Sequence, residues 1–246
     1  MHFLCLHGSM GNVTAFSAQL GPLRQHLEQD NATSFHCVNG LVKSDTPEGF
    51  GDFFGPGQHY RWIGREGADE DTINKRIRGS RVIQSPEDTL RSLVHDVTWI
   101  NHKEIMEYLD ETLEQNPDIT GILGYSEGAC IASTYIIHEE KMHRETGRPR
   151  RIKCGIFFTG MPPINPTQGF VLYDDTEDMV DVPTLHVIGS IDPYRAGADA
   201  LYNVCDPDTA EFFDTGKGHT VPRGGPVIDE LGAAIRGIIE QAEAEE

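Results

Sequence analysis

The sequence has no apolar run approaching the roughly 20 residues that cross a bilayer as a helix, so no membrane span is expected. Basic residues are scarce. Only 20 lysines and arginines stand against 39 aspartates and glutamates, a formal net charge of −19. A polyanion of that kind repels nucleic-acid backbones and anionic lipid surfaces, and neither is expected as a partner. Cysteine is sparse too: five residues, at positions 5, 37, 130, 154 and 205, with no Cys-x-x-Cys pair. This argues against a disulfide framework or a cysteine zinc site and points to a reducing, cytoplasmic setting. Residues Met1 to Gly8 hold neither a basic region nor a small-residue cleavage site, and read as a first strand rather than a signal peptide. No internal repeat is present. The acidic Tyr173–Asp181 stretch lacks the histidines or turn glycine of a metal loop, and plain solvation is its simplest reading.

What is present is an alternation of strand-like and helix-like segments along 246 residues, 38 % of them hydrophobic, enough for one domain core. A short strand at 2–6 ends at His7-Gly8. The spacing of Phe16, Leu20, Leu23 and Leu27 predicts a helix over about 14–29, disturbed at Gly21-Pro22. A second strand covers Phe35 to Val38. Ser85-Pro86-Glu87-Asp88 supplies an N-cap serine, a proline at the first helical position and acids in the first turn. The helix it starts is expected to reach Gln115, broken near Trp99–Asn101. Strands are predicted before Gly124 and over Lys153–Thr159, Pro183–Gly189 and Ala210–Phe213, with helices over about 127–143 and 225–240. This order predicts an α/β architecture with a mainly parallel sheet and helices on both faces, binding ligands beyond the carboxyl ends of its strands.

Residues 43–82 break that rhythm. They hold many glycines, aromatic clusters at Phe50, at Phe53-Phe54 and at Tyr60 with Trp62, and an acidic patch from Glu66 to Asp71, without sustained periodicity. Within a single domain spanning 1–246, such a stretch reads as a lid-like insertion over a cleft or as a solvated surface insertion.

One motif carries chemistry. Gly124-Tyr125-Ser126-Glu127-Gly128 follows an apolar strand and opens a small-residue helix, the setting of a G-x-S-x-G nucleophile elbow. A serine hydroxyl needs a base to take its proton, and the base needs an acid to hold its tautomer. Asp192 follows a strong apolar strand and His219 follows the last one, which gives the order Ser, Asp, His. His138 and His143 lie on the helix directly after the elbow, too near in sequence to fold back on Ser126, and His186 lies inside a strand. The competing acids Asp174, Asp175, Asp178, Asp181, Asp206, Asp208 and Asp214 lack the strand-end position of Asp192.

Backbone N–H groups for a developing oxyanion are expected from Glu127, the residue after the serine, and from Ser9 or Met10 in the loop after the first strand. Phe53, Trp62 and Met161 are candidate walls of a substrate site. Arg144, Arg148, Arg150 and Arg151 form a basic loop that reads as a solvated turn or as a patch for an acidic partner.

With these segments placed, the chain resembles the fungal serine hydrolase family of the α/β-hydrolase superfamily. The likeness rests on Leu4-Cys5-Leu6-His7-Gly8 with Asn12 and Phe16, on Leu23-Arg24, and on Gly124-Tyr125-Ser126-Glu127-Gly128-Ala129. It continues through Pro183-Thr184-Leu185-His186-Val187-Ile188-Gly189 to Asp192, and through Gly218-His219-Thr220-Val221-Pro222. The resemblance implies an α/β-hydrolase fold, a triad of Ser126, Asp192 and His219, and cofactor-free hydrolysis of a small-molecule acyl ester or thioester. It further suggests release of an acyl chain from the carrier domain of a polyketide synthase in secondary metabolism. A general carboxylesterase, or a non-catalytic binding module on the same fold, is the alternative. The chain departs from the family pattern at Asn39-Gly40, where a small residue and proline are expected, and in the acidic 43–82 segment.

Overall fold

The computed structural model describes residues 1–30, 33–45, 55, 57–68, 70–79, 85–94, 97–167 and 169–244. Strand β1 (His2–Leu6) and helix α1 (Val13–Leu27) lead to β2 (Ser34–Val38). The short strands β3 (Val42–Ser44), β4 (His59–Arg61) and β5 (Arg65–Gly67) precede helices α2 (Glu70–Gly79) and α3 (Pro86–Val94). Strand β6 (Val97–Trp99) and helix α4 (His102–Gln115) come next, then β7 (Ile119–Tyr125), α5 (Glu127–Thr146) and β8 (Cys154–Phe158). After a two-stranded ribbon of β9 (Ile164–Asn165) and β10 (Gly169–Phe170) come β11 (Thr184–Ile188) and α6 (Arg195–Asn203). Strand β12 (Ala210–Asp214) and helix α7 (Pro226–Ala244) complete the order.

Six strands form one parallel sheet in the order β12-β11-β8-β7-β1-β2. The direction of winding reverses between β1 and β7, and loops leaving those two neighbours open a crevice at their carboxyl ends. The faces of the sheet follow from period-two alternation. Phe3 and Cys5 of β1 pack with Leu20, Leu23 and Leu27 of α1 and with Leu231 and Ile235 of α7. Leu4 and Leu6 turn the other way, into a core shared with Ile105 and Leu109 of α4 and Ile131 and Tyr135 of α5. Helices therefore cover both faces, as the alternation predicts.

Local chemistry sets the helix starts. Asn12 accepts the Ala15 N–H at 2.8 Å, and Asn39, at the end of β2, accepts the Val13 N–H at 2.8 Å. Helix α1 runs on through Pro22 because its buried Leu20, Leu23 and Leu27 hold it against the sheet. Ser85 Oγ accepts the Asp88 N–H at 3.0 Å, as expected of an N-cap.

Two expectations need correction. The helix from Ser85 does not merely break near Trp99: α3 stops at Val94, and Val97–Trp99 is a strand paired antiparallel with Arg65–Gly67. The β-branched and aromatic run Val-Thr-Trp favours extended backbone. Nor are residues 43–82 uniformly irregular. Val42–Ser44 pairs with His59–Arg61, and α2 buries Ile73 and Ile77 one helical turn apart. With two apolar residues in a ten-residue helix, its period is easily lost among the polar positions. Phe50, Phe53 and Phe54 lie outside the described residues.

The charged loops also differ from plain solvation. Arg148 pairs with Asp110, Arg150 with Asp181 at 2.6 Å and Arg144 with Glu140 at 3.4 Å, while the Arg151 amide donates to Glu139. Arg91 meets Asp174 and Asp175, and Lys141 meets Asp178. In a chain this acidic, each of these cations finds an internal partner. Among the described residues no helix is long and apolar enough to cross a membrane.

Candidate active site

Strand β7 delivers Ser126 into a sharp turn. The serine adopts φ 56° and ψ −118°, a backbone region that side chains other than glycine rarely occupy. Its amide donates to Phe158 O at 2.9 Å, and its carbonyl accepts the first bonds of α5. The flanking glycines are steric requirements. A Cβ at Gly124 would come within 2.4 Å of the Ala129 backbone, and one at Gly128 within 2.1 Å of Leu6 O. The helix can start this close to β1 and β7 only without those side chains.

His219, in the loop after β12, places Nε2 at 3.0 Å from Ser126 Oγ and Nδ1 at 2.9 Å from Asp192 Oδ2. The Asp192 carboxylate is fully buried, and its Oδ1 accepts the Tyr194 N–H at 2.8 Å. A carboxylate facing Nδ1 favours the proton there, which leaves the Nε2 lone pair toward the serine hydroxyl. Two rings hold the imidazole in place: Tyr194 at 4.6 Å and Tyr125 at 5.3 Å between centroids. The Tyr125 hydroxyl also donates to His219 O at 3.1 Å, and its burial pushes the phenol well above its ordinary range.

The loop after β1 closes the other side. Ser9 lines the cavity beside Ser126 and Glu127, whereas Met10, with φ 58°, forms the turn next to it. Beneath that loop His7 is buried, with Nδ1 at 2.7 Å from Gly8 O and the Gly40 N–H donating to Nε2 at 3.0 Å. Burial lowers its pKa to about 4, so the ring is neutral near pH 7, with its proton on Nδ1. His7 thus braces the loop.

The cavity over Ser126 has a volume of about 460 Å³. Ile63, Ile73, Val97, Trp99, Met161 and Phe170 give it mainly apolar walls. Met161, one of the candidates from sequence, lines this wall. Trp62 does not: it is fully buried in the core behind the wall, donating its indole N–H to His7 O at 2.8 Å. Its backbone neighbours Ile63 and Arg65 face the cavity instead. Phe53 lies outside the described residues.

Glu127 is more than the residue after the serine. Its buried carboxylate accepts the Trp62 N–H at 2.9 Å and the Arg65 guanidinium at 3.1 Å. Asn101 supports the same segment, accepting from Gly64 N–H at 2.6 Å and donating to Trp62 O at 2.8 Å. Arg65, Asn101 and Tyr194 escape sequence reasoning, because nothing in local spacing links them to the elbow. Only the proximity of Tyr194 to Asp192 offers a hint.

A strand–elbow–helix with a serine, a histidine and a buried aspartate, on a parallel sheet with helices on both faces, defines an α/β-hydrolase. The chain belongs to the serine hydrolase (FSH1) family, whose pattern matches residues 1–231, and it is a serine hydrolase acting on esters. It is 26 % identical over 251 residues to esterase FPY3 of Fusarium mangiferae, covering 98 % of each chain. It is 23 % identical over 238 residues to hydrolase phiM of a fungal species (strain ATCC 74256), covering 96 % of this chain and 93 % of that one. Among solved structures, SOBER1 of Arabidopsis thaliana shares the fold, with a TM-score of 0.53 and 15 % identity over 97 % of this chain and 99 % of that one.

Proposed function

We propose that the protein hydrolyses acyl thioesters and esters through an acyl-serine intermediate on Ser126, with the acyl group lodged in the cavity above it. The observation that carries this reading is the hydrogen-bonded line from Ser126 Oγ through His219 to the buried Asp192, opening on apolar walls. His219 Nε2 takes the hydroxyl proton as Oγ attacks the acyl carbon. The bond from that carbon to sulfur or oxygen breaks, and the same proton passes to the departing thiol or alcohol. Water then attacks the acyl-serine, gives a proton to His219 and releases the acid, while Oγ regains its proton. Asp192 orients the imidazole and stabilises its cation. Backbone N–H groups of Glu127 and of Ser9 or Met10 receive the oxyanion.

The thioester is the preferred leaving group in this reading, with an acyl chain on a polyketide synthase carrier domain as the donor and the reaction set in the cytoplasm. The five free cysteines support a reducing compartment. The internal pairing of Arg144, Arg148 and Arg150 gives that basic loop little charge to offer an acidic carrier.

The test is Ser126→Ala assayed on a p-nitrophenyl ester and on matched acyl thioesters, with fluorophosphonate labelling of the wild-type chain. Turnover should vanish in the variant, and the label should sit on Ser126. Wild-type turnover in the variant would overturn the mechanism. Equal rates on carrier-bound and free thioesters would overturn the carrier assignment alone.

A further inference from the structure

Arg65 is the one arginine or lysine lining the cavity among the described residues. A guanidinium carries five N–H donors in a fixed fork and cannot shed its charge. Here Nη2 meets Glu127 Oε1 at 3.1 Å; Nε has no acceptor among the described residues and is itself sealed from the cavity, so a bond to a ligand has to come from the Nη side of the fork. The side chain retains 13 % exposure, so the group is neither a surface cation nor fully used by the protein. Beside it stand Ile63, Ile73, Val97 and Trp99, which offer no carbonyl or carboxylate side chain. A donor with unmet bonding capacity in an apolar wall is costly unless something else satisfies it.

The sign of the expected partner follows from Glu127. The buried carboxylate already neutralises Arg65, and the whole chain carries a net charge of −19. A second carboxylate brought into this space would be desolvated beside Glu127 with half a counter-ion to share. A neutral acceptor bears no such penalty and still takes a charge-assisted hydrogen bond. We infer that Arg65 selects acyl groups carrying a neutral oxygen acceptor, a ketone or hydroxyl, over plain alkyl chains and over chains ending in a carboxylate. This rests on the cavity being the acyl site, as proposed above. Position along the acyl chain is set by how far the acceptor must lie from the carbon that Ser126 attacks.

The experiment compares N-acetylcysteamine thioesters of octanoate, of its 3-oxo, 5-oxo and 7-oxo derivatives, and of the eight-carbon ω-carboxylate. In the wild-type chain one oxo isomer should exceed octanoate in kcat/KM by about tenfold, the size of a single charge-assisted bond. Most of the gain should appear in KM, and the ω-carboxylate should show none. In Arg65→Met the oxo-to-octanoate ratio should fall to about one. The paired variant Arg65→Met with Glu127→Gln removes both charges and should show the same collapse, which covers failure of the single variant to fold. No oxo preference in the wild type, an oxo preference that survives both variants, or a preferred carboxylate chain would each overturn the inference. A wild-type chain that cleaves none of these thioesters and takes no fluorophosphonate on Ser126 would instead fail the acyl-transfer reading on which it rests.

Discussion

The Glu127 carboxylate holds the backbone N–H of Trp62 at 2.9 Å across 65 positions of sequence, from a residue whose own backbone begins α5. The cavity wall at Ile63 and Arg65 is therefore anchored to the turn that carries Ser126. Wall and Ser126 share one mount.

Breaking that mount should be costly. Glu127→Ala leaves the Trp62 N–H without an acceptor and Arg65 without its counter-ion, and is expected to lower stability by about 3 kcal/mol. Glu127→Gln keeps an acceptor for Trp62 and should lose clearly less. Chemical denaturation of the two variants checks the order. Equal losses would place the stability in the charge pair rather than in the Trp62 bond.

The backbone of Ser126 predicts a trade between activity and stability. Positive φ at a side-chain-bearing residue stores about 1–3 kcal/mol, and glycine adopts it freely. Ser126→Gly and Ser126→Ala should both lose turnover, yet the glycine variant should be the more stable by about 1 kcal/mol. Paired thermal melts test this. A glycine variant less stable than alanine would show that the turn is not strained.

Acid should destabilise the fold through buried histidines that do not line the cavity. Burial lowers His7 to about 4 and His186 to about 3, both below the ordinary value of 6.5. The unfolded chain therefore takes up those protons first. Stability is complete above about pH 6.5 and is lost as pH falls toward the folded values, by about 1.4 kcal/mol per unit for each histidine. Denaturation midpoints between pH 7 and 4.5 measure the slope. His186→Gln should remove one histidine's share of it, about 1.4 kcal/mol per unit, and an unchanged slope would assign acid sensitivity to other groups.

Much of the architecture is legible because its signals are local. Strand β7 is mostly apolar and ends at Gly124-Tyr125, α1 shows four buried residues at helical spacing, and Ser85 with Pro86 announces α3. Ser126, Asp192 and His219 can be picked out because each lies in the connection that leaves the carboxyl end of a strand of one parallel sheet, where those connections come within hydrogen-bond reach of one another. What stays hidden is non-local. Strand β5 gains its identity from β6, whose partner residues lie about 30 positions away. Trp62 reads from sequence as a cavity wall, since an aromatic in a glycine-rich segment gives no sign of facing the core. Arg65 and Glu127 are ordinary surface residue types until the fold buries them against each other.

The two tyrosines that frame His219 do more than fix its orientation. In the reaction proposed above the imidazole becomes a cation with its ring centre 4.6 Å from the Tyr194 ring and 5.3 Å from the Tyr125 ring. The electron-rich faces of such rings attract positive charge. The aromatic frame thus gives the transient imidazolium a counter-field that carries no charge of its own, and one that changing ionic strength would leave almost untouched.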